Sequence, residues 1–80
     1  MVVAEIRIEL KKGVADPEGA NTRKALELLG FKGVSGVSSI KTYMIKLDEK
    51  DPKKARTVVD EMCRKLLSNP VIHNYKIEIL

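Results

Sequence analysis

The sequence predicts an α+β fold, a small antiparallel sheet of three to four strands with two helices on one of its faces. Three observations carry that expectation. Segments near both ends of the chain alternate apolar and polar residues with the period of a strand. Two Asp-Pro pairs, Asp16-Pro17 and Asp51-Pro52, each precede a stretch with helical spacing of apolar residues. At 80 residues the chain has the length of one domain, spanning 1–80, so these elements share one core.

Residues 2–10 open the chain as a strand. Val2, Ala4, Ile6, Ile8 and Leu10 lie on one side and Glu5, Arg7 and Glu9 on the other, which is a half-buried strand with one wet face. Lys11-Lys12-Gly13 ends it. Asp16 then supplies a carboxylate for the free N–H groups of a helix, and Pro17 loses nothing at its first position. Thr22, Ala25, Leu26 and Leu29 form the apolar stripe of this helix of about 13 residues, ~20 Å long. Gly30 suits the positive φ of a residue just past a helix end, with Phe31 as the accompanying apolar contact.

The stretch 34–47 is the ambiguous one. Tyr43, Ile45 and Leu47 lie on one face, and Ile40, Thr42 and Met44 on the other, so both faces are partly apolar. An apolar second face needs a cover that a domain with its helices on one side does not supply. Gly33 and Gly36, with Ser35, Ser38 and Ser39, allow a bend that splits the stretch in two. A split gives the order βαββαβ, related to the ferredoxin-like plan. Without it there are three strands, the middle one long enough to reach a second subunit.

Helix 52–67 follows, with Ala55, Val58, Val59, Met62, Cys63, Leu66 and Leu67 on one face. Asn69-Pro70 stops it, because Pro has no N–H to donate and the residue before Pro avoids the α region. Tyr75, Ile77 and Ile79 alternate with Lys76 and Glu78 in the last strand.

Composition narrows the function. A single core in so short a chain supplies roughly 3–5 kcal/mol, and small domains of this size often rely on a further staple. One Cys and one His exclude an intrachain disulfide and a Cys/His zinc site, which leaves an oligomer or a partner. The net charge of +4 is spread along the chain without a basic run, and the aromatics are too few for a base-stacking sheet, so no nucleic-acid partner is expected. No apolar run approaches membrane-spanning length and the start of the chain has no signal-peptide layout, so no membrane partner and a cytoplasmic location are expected.

Candidate chemistry is thin. Cys63 falls on the apolar helix face, where a thiol is a core residue rather than a nucleophile. His73 follows the Pro turn without an assignable carboxylate or Ser partner, so it reads as a surface or interface residue. Asp48, Glu49 and Asp51 precede a helix, where they favour its N-terminal dipole, and Lys53, Lys54 and Arg56 follow closely enough to repel a cation. The loop from Gly13 to Gly19 lacks phosphate-binding spacing. No catalytic, cofactor-binding or metal residue is therefore assigned. The expected interface comprises Ile40, Lys41, Tyr43 and Met44 of the middle strand, and Asn69, Pro70 and His73 of the last turn. A ferredoxin-like module binding a small molecule at a dimer interface is the alternative, with Asp16, Asn21 and Thr22 as its ligand loop.

Three segments also carry a family resemblance: Lys11-Lys12-Gly13-Val14-Ala15-Asp16-Pro17-Glu18-Gly19, then Leu29-Gly30-Phe31-Lys32-Gly33-Val34, then the run from Met62 to Ile72 with Tyr75-Lys76-Ile77-Glu78. In this order and over nearly the whole chain they resemble the PurS subunit of phosphoribosylformylglycinamidine synthase. Many members carry an Arg and a Gly-Lys in the central strand; here the stretch is Ser38-Ser39-Ile40-Lys41, of which Lys41 matches. The resemblance implies a PurS-like fold and a non-catalytic role in an ATP-dependent, glutamine-using ligase of purine synthesis. It implies self-association as a dimer or tetramer, and a bridge between a large synthetase subunit, which would hold ATP and Mg, and a glutaminase subunit. No cofactor is implied for this chain.

Overall fold

A computed structural model describes residues 1–80. The elements are β1 (Val2–Leu10), α1 (Pro17–Leu28), β2 (Ile40–Leu47), α2 (Pro52–Met62) continued by a π-helical turn over Cys63–Leu67, and β3 (His73–Ile79). The strands form one antiparallel sheet in the order β2-β1-β3, with Ile6 opposite both Tyr43 and Ile77. The most regular alternation in the sequence thus belongs to the central strand. Of the two readings of 34–47, the structure adopts one strand from Ile40, and Gly33, at φ 85°, turns the chain into an unpaired return alongside α1.

One sheet face carries the core. Ala4, Ile6 and Ile8 pack under Val59 and Cys63 of α2 and its continuation, ringed by half-buried Tyr43, Ile45, Leu47, Leu67, Tyr75, Ile77 and Ile79. α2 sits over β1 and β3. Two bonds tie it to β3: the Tyr75 hydroxyl donates to Asp60 Oδ1 at 2.5 Å, and Arg56 Nη2 donates to the Ile77 carbonyl at 3.1 Å. The predicted face of helix 52–67 is only partly buried. Ala55, Val59 and Cys63 are fully covered, but Val58 is exposed and Leu66 is 83 % exposed. The cause is local. Ser68 N–H and Ser68 Oγ both bond the Cys63 carbonyl, a wider closure than the α-helix allows, so the residues past Cys63 leave the 3.6-residue phase.

α1 does not lie across the sheet as α2 does. Gly19 is its one buried residue, and of the expected stripe Leu26 alone is half-buried, while Leu29 is 74 % exposed and Leu28 and Phe31 are exposed beside it. The helix itself forms as its sequence dictates. The Asp16 carboxylate accepts from Gly19 N–H at 2.9 Å, and the C-terminus closes with Phe31 N–H on the Leu26 carbonyl and Gly30 N–H on that of Glu27. The chain is consequently elongated. Its radius of gyration is 16.1 Å and its extents are 50 × 24 × 15 Å, whereas a compact chain of this length has a radius near 12 Å.

Candidate assembly surface

The expected interface residues fall into two places. Ile40, Lys41 and His73 line a cleft of about 370 Å³ at the end of the sheet where β1 finishes and β2 and β3 begin. Asn69 and Pro70 stand beside it, Pro70 through its carbonyl, which accepts from Lys11 Nζ at 2.8 Å. Tyr43 lies further along β2 on the α2 side of the sheet, with Lys41 Nζ 5.9 Å from its ring centre. Met44 is on the opposite face, 58 % exposed, with Ile40 at 43 %. That opposite face is otherwise charged, with Glu5, Arg7, Glu9, Lys76 and Glu78. Its apolar part is confined to Val3 and β2.

A larger apolar surface lies on the α2 side. Ile45, Val58, Met62, Leu66 and Leu67 line an open groove of about 540 Å³ between β2 and α2, with Glu61 and Lys65 at its rim, bonded to each other at 2.8 Å. The sequence pattern placed Val58 and Leu66 on the apolar face of the helix; α2 sits over β1 and β3 and leaves the β2 side of the groove open.

The turn before β3 is organised by Asn69 more than by Pro70. Asn69 Oδ1 accepts from Val71 N–H, its carbonyl accepts from Ile72 and His73 N–H, and its own N–H donates to His73 Nδ1 at 2.8 Å. That last bond places the His73 ring proton on Nε2 and commits Nδ1 to the backbone. His73 is thus a structural latch for the turn.

Ser39 and Gly19 are the site residues that sequence reasoning missed. The Asp16 carboxylate accepts from Ser39 N–H at 2.7 Å and from Ser39 Oγ at 2.9 Å as well as from Gly19 N–H, so one side chain caps α1 and pins the approach to β2. Ser39 N–H first, then Gly19 N–H, holds the Asp16 carboxyl below its ordinary value. This saturation also removes Asp16 from the expected ligand loop, and Thr22 Oγ1 is occupied by the Glu18 carbonyl. A carboxyl with a lowered folded-state pKa stabilises above its unfolded value and ceases to do so as the pH falls through the folded one. Asp16→Asn is therefore expected to lower the melting midpoint at pH 7 by about 5–10 °C. The deficit should shrink as the pH drops below the ordinary aspartate value of 3.8 and vanish once the pH has passed the lower folded-state value. Thermal melts of both chains between pH 2 and 7 check this.

Two carboxylates of the acidic cluster before α2 are committed to structure. Glu49 Oε1 accepts from Lys50 and Asp51 N–H, and Asp51 Oδ1 caps α2 through Lys53 N–H. Asp60 holds Tyr75 and, at 3.0 Å, Arg64 Nε; its carboxylate pushes the Tyr75 hydroxyl above its usual range. Cys63 is fully covered in the core, and burial, followed by the charge of Asp60, pushes its thiol up. A thiol reagent at pH 8 is expected to label Cys63 only as fast as the domain opens, at least 100-fold slower than in denaturant; labelling at the free-thiol rate would contradict this placement.

Fold and surface together define a class of protein: a small α+β domain, with a structural thiol and capped carboxylates, and with its apolar surplus outside. The PurS family profile, described as phosphoribosylformylglycinamidine (FGAM) synthase, matches residues 3–80. The chain is 51 % identical over 76 residues to the phosphoribosylformylglycinamidine synthase subunit PurS of Archaeoglobus fulgidus, covering 95 % of each chain. It superposes on the crystal structure of Methanocaldococcus jannaschii PurS with a TM-score of 0.90 at 45 % identity, covering 100 % of this chain and 96 % of that one. That protein is one of the subunits of formylglycinamide ribonucleotide amidotransferase in the purine biosynthetic pathway. A chain in the structure of PurLQS from Thermotoga maritima matches with a TM-score of 0.86 at 26 % identity, covering 99 % and 96 %. This chain belongs to the PurS family of FGAM synthase subunits.

Proposed function

We propose that the chain is the small, non-catalytic subunit of an FGAM synthase, and that it bridges the large synthetase subunit and the glutaminase subunit. The observation that carries this reading is the match to PurS over residues 3–80. The surface agrees with it. Glutamine hydrolysis needs an activated thiolate beside a base, and here the thiol is enclosed and the one imidazole is tied to Asn69 N–H. ATP and Mg belong to the large subunit, and ammonia to the glutaminase. This chain supplies packing surface: the β2–α2 groove, the exposed end of α1, and the cleft of Ile40, Lys41 and His73. It also self-associates, as a dimer or a tetramer.

The test is reconstitution. The chain alone should show no ATP turnover or glutamine hydrolysis. Added to the large and glutaminase subunits with ATP, Mg and glutamine, it should restore glutamine-dependent FGAM formation by at least an order of magnitude. Turnover by the chain alone, or a mixture indifferent to it, overturns the reading.

A further inference from the structure

The outer face of the sheet, opposite α2, sets like charges beside each other. Glu5 of β1 lies directly across from Glu78 of β3, and Arg7 directly across from Lys76. Side chains so placed stand about 4.5–5.5 Å apart at Cβ, close enough for like charges to destabilise the pair. β2 brings no relief, because it places Met44 beside Glu5 and Thr42 beside Arg7. Opposite charges stand one row along, ~6.8 Å away at the rise of an antiparallel strand. No ion pair closes that gap, and the three that the chain does form all lie along its helices. Exchanging Lys76 with Glu78 would turn both contacts favourable with no change in composition, so the isolated fold gains nothing from the order it has. Two charged rows thus cross the strands, Arg7 with Lys76 and Glu5 with Glu78, and all of these but half-buried Glu5 are exposed. Arg7 and Lys76 also line an open cleft of about 260 Å³, with Glu9 at its side.

We propose that a helix of a partner subunit lies on this face, with an acidic side chain over Arg7 and Lys76 and a basic one a turn away over Glu5 and Glu78. The inference rests on the assembly reading above and names one docking surface and the chemistry of what it meets. A carboxylate entering between Arg7 and Lys76 replaces one repulsion by two attractions, and a lysine or arginine does the same between Glu5 and Glu78. Residues i and i+4 of a helix are ~6 Å apart along its axis. That is close to the spacing of the rows, so one helix running along β1 reaches both. Its apolar side chains rest on Met44 and Ile40, which are 58 % and 43 % exposed on the same face. A polyanion such as nucleic acid or an anionic membrane satisfies the basic row alone and is repelled by the acidic one. A helix with the two signs in the reverse order meets like charge at every contact, so the rows select orientation as well as partner. The two unfavourable contacts that the free chain carries are those that docking resolves.

The test exchanges charges without changing composition. Lys76→Glu with Glu78→Lys sets opposite charges across both pairs. The thermal midpoint of that chain alone should rise by at least ~2 °C. Its concentration for half-maximal glutamine-dependent FGAM formation, with the large and glutaminase subunits held fixed, should rise at least 10-fold. Adding Glu5→Lys and Arg7→Glu rebuilds like-charge rows in inverted order. The midpoint should then fall back to that of the wild type while docking stays weak, which separates the charge pattern from stability. Docking at the wild-type concentration by either variant overturns the proposal, and so does a midpoint that the first exchange leaves unmoved. A changed mass of the first variant alone, by light scattering, would give the face to copies of this chain and overturn it as well. Should the first exchange fail to fold, Glu5→Lys with Arg7→Glu alone makes the same opposite pairs and decides in its place. A mixture that is indifferent even to the wild-type chain overturns the assembly reading itself and this proposal with it, whereas the variant outcomes leave that reading standing.

Discussion

Gly19→Ala is expected to release α1 from its seat. A Cβ at residue 19 would stand 2.3 Å from the Val37 carbonyl oxygen and 2.9 Å from Asp16 Oδ2. The first contact is with backbone, which cannot swing aside as a side chain can. Helix propensity pulls the other way, since Ala is better than Gly by up to about 1 kcal/mol inside a helix. The clash wins because accommodating it means moving the 36–39 return, and that return carries the Ser39 groups bound by Asp16. Overpacking of this kind costs about 1–3 kcal/mol. The loss should be local, because α2 and the sheet make the core without α1. Limited trypsin digestion is the sensitive measurement: Arg23 and Lys24 should be cut at least 10-fold faster in Gly19→Ala, while the β1–α2 core stays protected. Unchanged cleavage, or a gain in stability, would mean the close approach of α1 to Val37 is not maintained in solution.

The elements whose signals are local were legible before the structure. Asp16-Pro17 and Asp51-Pro52 start helices because cap and proline act within one turn. Gly30 ends α1 for the same reason. Period-2 alternation placed β1 and gave the face that Val59 and Cys63 cover. What the sequence hid depends on where separate segments meet. Ser39 is an ordinary loop serine until Asp16 is found 23 residues earlier in the chain and within 2.7 Å of its N–H. Gly19 reads as a helix residue until Val37 comes against it. The stripe of α1 has helical spacing, which marks an apolar face without stating which chain covers it; in this chain Leu28 and Leu29 remain exposed. Leu66 was misplaced for a different reason, since extending one helical period through Cys63–Leu67 misses the wider turn that Ser68 imposes. Asn69-Pro70 was recognised as a stop through Pro70, whereas the bonds that shape the turn belong to Asn69.

Ile6→Ala joins stability to assembly. Ile6 is fully buried at the middle of the central strand, opposite Tyr43 on one side and Ile77 on the other, beneath Val59 and Cys63. Removing its side chain leaves a void bounded by strands on both sides and by a helix above, which relaxes poorly. Substitutions of this class cost about 2–5 kcal/mol, and a small single core supplies roughly 3–5 kcal/mol in all. The variant alone should therefore be largely unfolded near 37 °C, with its dichroism and near-ultraviolet signals lost together. Binding only the folded state adds stability by mass action, about 2.7 kcal/mol when the partner is present at 100 times its dissociation constant. If this chain works by docking, Ile6→Ala should still support FGAM formation when the large and glutaminase subunits are in excess. Activity should rise with their concentration along a curve shifted at least 10-fold to the right of the wild type, and converge at saturation. The convergence is the discriminating feature, because a variant that only has to fold in order to dock regains full activity once docked. A maximal rate that stays depressed at saturating partner would place part of the reaction's own machinery in this chain and contradict the assembly reading.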